Sequence, residues 1–527
     1  MTQTINRLTL YTLGIIVFLG LALTLASLFL ISVEYDEAWI VASHLSAFHT
    51  QLVPDVDQVL TTGGLHFWLV GFFGEPGESA VMLPRIVSMV SLGLIILLIA
   101  RFTRRWVPDF VARMIIIACV VATPGSIFMG SMSYGAALSL LLLMSGAVVW
   151  FSNLGRLPLR IAVTGLLFGL ALATRWTLVP VMPLLVLSGL VLSPEERFRW
   201  LSGVMVAVIA TGVFGVFVFL QTQVGNWNAP IEDPSLISSN MRSAGAGSSL
   251  FPSPARLTGF ASRYFTLVSV PMVLVSFVFT IQIWSRLLRA QRIFLLALIA
   301  ASLLIALAWM MRSPFLHTRY IWPSILLLNL ACGISLASTF VLARDADQQW
   351  APFARLICVA LPIGLALGSY TNGLRLIAAG SGYETNNAGY SSQEKHFDAF
   401  RLTREQSAIV DYLRNAIDPS DRVVGFGLPA EWGTMQLALL SERAVEDLSV
   451  EVAVDKIPSV IISHEFARLS TEGRDWLRDH SLDTTDIFGY QIHRVDPVQY
   501  TQPKPDYFID SDVYQFLLRR EQSLSGY

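Results

Sequence analysis

The sequence predicts a polytopic α-helical membrane protein, with about eleven transmembrane helices and a small C-terminal extracytoplasmic α/β domain. Three observations predict it. Charged residues make up 14% of the chain, against about 25% in an ordinary soluble protein. Runs rich in Leu, Ile and Val recur through residues 1–372, and a run of roughly 18 apolar residues or more crosses a hydrocarbon layer. Beyond residue 372 the character changes. Residues 1–372 hold 21 basic and 14 acidic side chains; residues 373–527 hold 15 basic and 24 acidic, a net charge of −9.

The predicted spans are 8–33, 81–100, 111–128, 132–151, 158–174, 177–193, 200–221, 266–285, 292–311, 320–341 and 355–372. The first is too long for a signal peptide and has no small-residue cleavage site, so it reads as a retained helix. Arginine placement orients the set. With the N-terminus cytoplasmic, one side holds Arg7, Arg101, Arg104, Arg105, Arg113, Arg156, Arg160, Arg197, Arg199, Arg286, Arg289, Arg292, Arg344 and Arg355. The other side, or span ends facing it, holds Arg85, Arg175, Arg242, Arg256, Arg263, Arg312 and Arg319. The excess on the first side places 34–80, 222–265 and everything after 372 outside. The chain therefore reads as a multi-pass membrane protein with its C-terminal domain outside. Its basic residues are nearly all arginine, which points to a GC-rich bacterial genome and so to a bacterial cytoplasmic (inner) membrane.

Residues 34–80 form a long first external loop with seven acidic residues and no Lys or Arg. Within it, 36–51 and 59–73 read as helices along the membrane surface, or as core helices of a compact loop. The second external loop, 222–265, is rich in Pro, Gly and Ser, a composition that suits a lid over a membrane cavity as well as a simple connector. The tail, 373–527, alternates: a helix at 394–417, strands at 422–426, 458–463 and 486–494, and helices at 430–441 and 465–479. That is the pattern of a layered α/β domain. Cys119, Cys332 and Cys358 all fall inside predicted spans and read as small apolar core residues. Gly425-Phe426-Gly427 lacks the third glycine of a dinucleotide fingerprint. No basic face is present, which argues against nucleic acid as a partner.

Ionisable residues at the level of a membrane are expensive and point to function. Four such features face the predicted outer side: Asp36-Glu37 after the first span, Arg85 opening the second, Arg175 between the fifth and sixth, and His317-Thr318-Arg319-Tyr320 opening the tenth. Each alone has a structural reading, as a helix-ending carboxylate, an arginine snorkelling to headgroups or an interface anchor. Together they place two carboxylates and three cations on one membrane face. A phosphate ester gripped by arginine, with a carboxylate base opposite, uses that set.

These residues carry a resemblance. The chain resembles the GT-C superfamily of membrane glycosyltransferases, in particular the protein O-mannosyltransferase and lipid A aminoarabinose transferase group, whose donors are polyprenyl-phosphate sugars. The matching pieces are Tyr35-Asp36-Glu37, Gly64-Leu65-His66-Phe67-Trp68-Leu69, Leu83-Pro84-Arg85-Ile86-Val87-Ser88, Thr174-Arg175-Trp176-Thr177, and Thr318-Arg319-Tyr320 followed by Pro323. They run in order from residue 1 to about 340. Two departures stand out. Thr61-Thr62-Gly63-Gly64-Leu65 replaces a proline-rich stretch usual in the family, and arginine stands at 175 where lysine is common. The first departure bears on the shape of the acceptor side; the second preserves charge, but arginine grips phosphate with a planar fork rather than a point charge.

The resemblance implies a GT-C-like catalytic domain over 1–372 and an inverting glycosyl transfer in one displacement, from a polyprenyl-phosphate-linked sugar donor to an envelope glycan, lipid (lipid A included) or protein acceptor. On this expectation Asp36 accepts the proton of the acceptor hydroxyl or orients it, and Glu37 supports it. Arg85, Arg175 and Arg319 bind the donor phosphate, and His66, His317 and Tyr320 contact substrate. The lipid phosphate is the activated leaving group, so no nucleotide cofactor is expected. A divalent cation stays open, because Glu34, Asp36, Glu37 and the loop histidines could serve one. Two other readings stand beside it. A transporter or lipid flippase predicts broken helices and mid-span charges, whereas the ionisable residues here cluster at one face. A membrane-anchored binding protein would need far fewer spans than this.

Overall fold

The computed structural model describes residues 2–30, 35–48, 63–75, 77–152, 156–192, 199–224, 268–312, 318–344, 350–379, 404–428, 434–447, 457–464 and 469–501, with single residues at 258, 261, 264, 503, 504 and 507. Its membrane part contains α1 (Thr2–Leu30), α2 (Tyr35–Ser46), α3 (Gly64–Phe73), α4 (Glu78–Thr103), α5 (Phe110–Val121), α6 (Ser126–Met129), α7 (Ala136–Phe151), α8 (Leu157–Thr174), a 3-10 turn (Trp176–Val181), α9 (Met182–Leu192), α10 (Arg199–Val224), α11 (Val270–Ile283), α12 (Arg289–Arg312), α13 (Thr318–Arg344) and α14 (Ala351–Ala379). Every predicted span contains a helix. Among the described residues, seven are long and apolar enough to cross a membrane: α1, α4, α8, α10, α12, α13 and α14.

The other four are shorter, and the chain chemistry says why. The span expected at 111–128 stops at Val121, because Pro124 cannot continue a helix and Gly125 takes φ +82°. The span expected at 132–151 opens only at Ala136, behind Gly135 at φ +65°. The segment expected at 177–193 starts as a 3-10 turn containing Pro180 before α9 begins. The span expected at 266–285 is α11, which follows Ser269 and ends in a 3-10 turn at Trp284–Arg286. Of the expected external lid at 222–265, all but its first residues and a few single positions lies outside the described residues.

Helix α13 runs through the middle of the bundle, with Ile325, Leu326, Leu330, Ile334, Leu336 and Ala337 all buried. In hydrocarbon, packing and interhelical hydrogen bonds hold helices together. Asn329 Nδ2 donates to Thr123 Oγ1 (3.1 Å), Trp322 Nε1 to Ser126 Oγ (3.1 Å), and Ser335 Oγ to the Ser276 carbonyl (2.9 Å). By contrast α10 leaves Val208, Val216 and Phe219 exposed, as a lipid-facing surface requires.

The tail folds as α15 (Arg404–Asn415), β1 (Val423–Gly425), α16 (Thr434–Ser441), β2 (Val445–Asp447), β3 (Val460–His464), α17 (Thr471–Asp479), β4 (Ser481–Ile487) and β5 (Tyr490–Val495). The sheet order is β2-β1-β3-β5-β4, with β1 parallel to β2 and β3, and β5 antiparallel to β3 and β4. The single strand expected at 486–494 is corrected to a hairpin. Phe488 (φ +51°) and Gly489 (φ +84°) form its two-residue turn, and Ile487 pairs with Tyr490. Two left-handed central residues match the twist of an antiparallel pair.

Alternation along the strands sorts the tail core into two layers. Val424, Phe426 and Ile461 pack with Trp476 and Leu477 on one face. Val423, Val460 and Ile462 face the other way, with Ile409, Leu413, Leu437 and Ala438. That second core also takes in Ala38, Val41, Ala42 and Leu45 of α2, Val70 of α3 and Val81 of α4. The tail thus shares one hydrophobic core with α2, α3 and the start of α4. Backbone bonding joins them too: Gly77 N donates to the Leu439 carbonyl at 3.0 Å.

Candidate functional site

The site begins where α1 ends. Leu28 lies in the last turn of α1, where helix carbonyls lack intrahelical partners, and its carbonyl accepts from Arg85 Nη1 at 3.0 Å. The same guanidinium meets Glu37 as a fork: Nε to Oε1 at 2.8 Å and Nη2 to Oε2 at 2.5 Å. Arg85 is 3% exposed and Glu37 is fully buried. Two further donors reach Glu37 Oε1, the backbone N–H of Ser133 at 3.0 Å and its Oγ at 2.7 Å. A buried carboxylate is tolerable only when paired and fully bonded, and Glu37 accepts four hydrogen bonds.

Ser133 sits in the short connection between α6 and α7, residues 130–135, all of them buried. Its neighbours reach other parts of the site. The Met132 carbonyl accepts from Ser88 Oγ at 2.7 Å, one turn beyond Arg85 on α4. The Tyr134 carbonyl accepts from Arg175 Nη1 at 3.0 Å. Arg175 is the C-cap of α8, in extended backbone, and is buried.

Helix α3 closes another side. Gly63 N donates to the Thr174 carbonyl (3.1 Å) and Gly64 N to Gln221 Oε1 (3.0 Å), which fixes the start of α3 against α8 and α10. Gly64 holds φ +51°, and a Cβ there would lie 2.4 Å from the Ala173 carbonyl carbon, so only glycine fits. His66 is buried on this helix and shares a hydrogen bond with His44 of α2, Nδ1 to Nδ1 at 3.3 Å. Burial pushes the His66 imidazole well below its usual range; the charges of His44 and Arg175 push the same way, and the Ser133 backbone opposes them. His66 thus sits buried beside a second imidazole, that of His44.

The structure brings Glu37, Arg85, His66 and Arg175 to one buried constellation around residues 130–135. Asp36 lies in the first turn of α2, and Arg319 and Tyr320 in the first turn of α13, with their side chains outside the described set; His317 lies outside it altogether. Within the constellation Glu37 and Arg85 pair with each other, an arrangement the sequence reading did not anticipate. Ser133, Ser88 and His44 were missed as members. The one available signal was Gly130-Ser131-Met132-Ser133-Tyr134-Gly135, a serine-rich stretch bracketed by glycines inside an apparent span. Among the described residues there is no group of three or more His, Cys, Asp or Glu side chains placed to hold a metal ion.

No protein-family model matches the chain, and no curated protein matches it. Among solved structures, it is similar to ArnT from Cupriavidus metallidurans bound to undecaprenyl phosphate, at 14% identity and a TM-score of 0.53, covering 93% of this chain and 99% of that one. The apo state of the same protein aligns at 13% identity over the same shares of the two chains, with a TM-score of 0.48. At this identity the likeness is one of fold, and the fold is ArnT-like.

Proposed function

We propose that this protein is an inverting glycosyltransferase. It moves a sugar from a polyprenyl-phosphate donor to an acceptor hydroxyl of the cell envelope, at the outer face of the cytoplasmic membrane. The observation that carries the reading is the buried constellation of Glu37, Arg85, His66 and Arg175, set at the loop ends of an ArnT-like bundle. The ArnT structure of the same fold was solved with undecaprenyl phosphate bound, which supports the lipid-phosphate donor class.

In the proposed step the acceptor oxygen bonds to the anomeric carbon as the bond from that carbon to the phosphate oxygen breaks. The hydroxyl proton passes to Asp36. Glu37 is saturated by Arg85 and Ser133, so Asp36 is the carboxylate of the pair left for this task, and Glu37 anchors the helix that bears it. Charge appearing on the departing lipid phosphate falls to Arg175 and Arg319. Arg85 serves the same field from behind, by neutralising Glu37.

The test offers purified protein a panel of polyprenyl-phosphate sugars with envelope extract and measures released polyprenyl phosphate, wild type beside Asp36→Asn. Release by the wild type alone supports the reading and its base. Equal release by the variant moves the base elsewhere. No release, together with flux of lipid across vesicles, replaces the transferase with a flippase.

A further inference from the structure

We propose that Ser133 is a positioning residue for the transfer, and that the connection Gly130–Gly135 is the frame that fixes the carboxylate side of the site against its cationic side. The proposal rests on the glycosyltransferase reading above. Three consecutive residues of this connection bond to separate elements. Met132 takes Ser88 of α4, Ser133 takes Glu37 of α2 through both its N–H and Oγ, and Tyr134 takes Arg175 at the end of α8. Ser133 therefore holds Glu37 through two bonds and lies one residue from the partner of Arg175.

The frame is built to hold its shape. Gly135 uses a left-handed backbone. A Cβ at Gly130 would stand 2.8 Å from the Ser126 carbonyl oxygen and 2.5 Å from a Leu92 methyl. Ser131 Oγ bonds back to the Ile127 and Phe128 carbonyls at 3.0 and 3.1 Å, which closes the turn after α6. None of these serines is exposed, so a solubility role does not account for them. A group that touches neither donor nor acceptor but sets the place of the ones that do acts on the geometry of attack, where small displacements cost large factors in rate.

The test compares wild type, Ser133→Ala and Ser133→Thr in polyprenyl phosphate release and in hydrogen exchange of the α2 amides. Ser133→Ala keeps the N–H bond and loses the charge-assisted Oγ bond. The expected result is a kcat lowered about 10- to 100-fold, a donor KM within about twofold of wild type, and a melting temperature lowered by only a few degrees. Ser133→Thr, which restores the hydroxyl, is expected to recover most of kcat. Exchange in α2 should quicken about tenfold in the alanine variant and stay at wild-type level in α13 and the tail sheet. Wild-type kcat in Ser133→Ala overturns the proposal. So does a parallel fall of kcat and melting temperature that threonine does not rescue. A wild type inactive on every donor overturns the transferase reading instead, and the exchange comparison still decides whether Ser133 anchors α2.

Discussion

Glu37 and Arg85 lie 48 positions apart in sequence and meet as a two-pronged ion pair that water does not reach. Removing one member of such a pair strands the other charge and costs about 3–5 kcal/mol, whereas replacing both by apolar groups is often neutral. We expect Glu37→Leu and Arg85→Met each to lower the melting temperature in detergent sharply, and the double substitution to regain most of the loss. The double variant should remain without transfer activity, since it also lacks the anchor for α2. Additive losses in the double would show that the two side chains act independently.

Arg175 offers a different kind of test. Its Nη1 is already bonded to Tyr134, so a lysine retains the charge and loses the planar fork. For Arg175→Lys the donor KM should rise about tenfold with a smaller change in kcat. Arg175→Ala should cost about a hundredfold or more in kcat/KM. Steady-state kinetics with varied donor decides this, and an unaltered donor KM in both variants would remove Arg175 from the phosphate site.

Two glycines give opposite expectations. At Gly64 the left-handed backbone and the Ala173 main chain both oppose a side chain, so Gly64→Ala should destabilise by about 1–3 kcal/mol from backbone strain alone and tilt α3. Gly93 lies inside α4 with nothing within 4 Å of an added Cβ, and Gly93→Ala should be neutral or stabilising by up to about 1 kcal/mol. Thermal unfolding of the two variants side by side checks both.

In the tail, burial pushes His493 down to about 4, among Ser463, Ser481 and Thr484. An unfolded chain takes up this proton near pH 6.5. Between those values the unfolded state binds more protons, so stability is complete above pH 6.5 and falls as pH drops toward 4, by roughly 3 kcal/mol from this group. Denaturation across pH 4–7 should show that slope, and His493→Gln should flatten it. An identical slope in the variant would place the acid sensitivity in another group.

The apolar segments were legible because lipid demands them: each of the eleven stretches read from the sequence contains a helix. What hydropathy does not register is a break in which the side chains stay small and buried. Residues 132–135 read as the start of a span, yet they form the connection that bonds Glu37 and Arg175. Likewise the alternation from Asp486 to Arg494 passes straight through a tight turn, because Phe488 looks like a strand residue until its φ of +51° is seen. Asp36-Glu37, Arg85 and Arg175 stood out as charges at a membrane edge. That Glu37 would spend its oxygens on Arg85 and Ser133 is a long-range contact, and local pattern has no access to it.

The core shared by α2 and the tail joins Ala38 to Ala438, and this spacing has a consequence in time. A ribosome adds about 5–20 residues per second, so Ala438 follows Ala38 by roughly 20–80 s. During that interval every residue of the Glu37–Arg85–Arg175 constellation has been made, while the apolar face of α2 still waits for α16. A chain stopped short of α16 carries the whole constellation and lacks the surface on which α2 comes to rest.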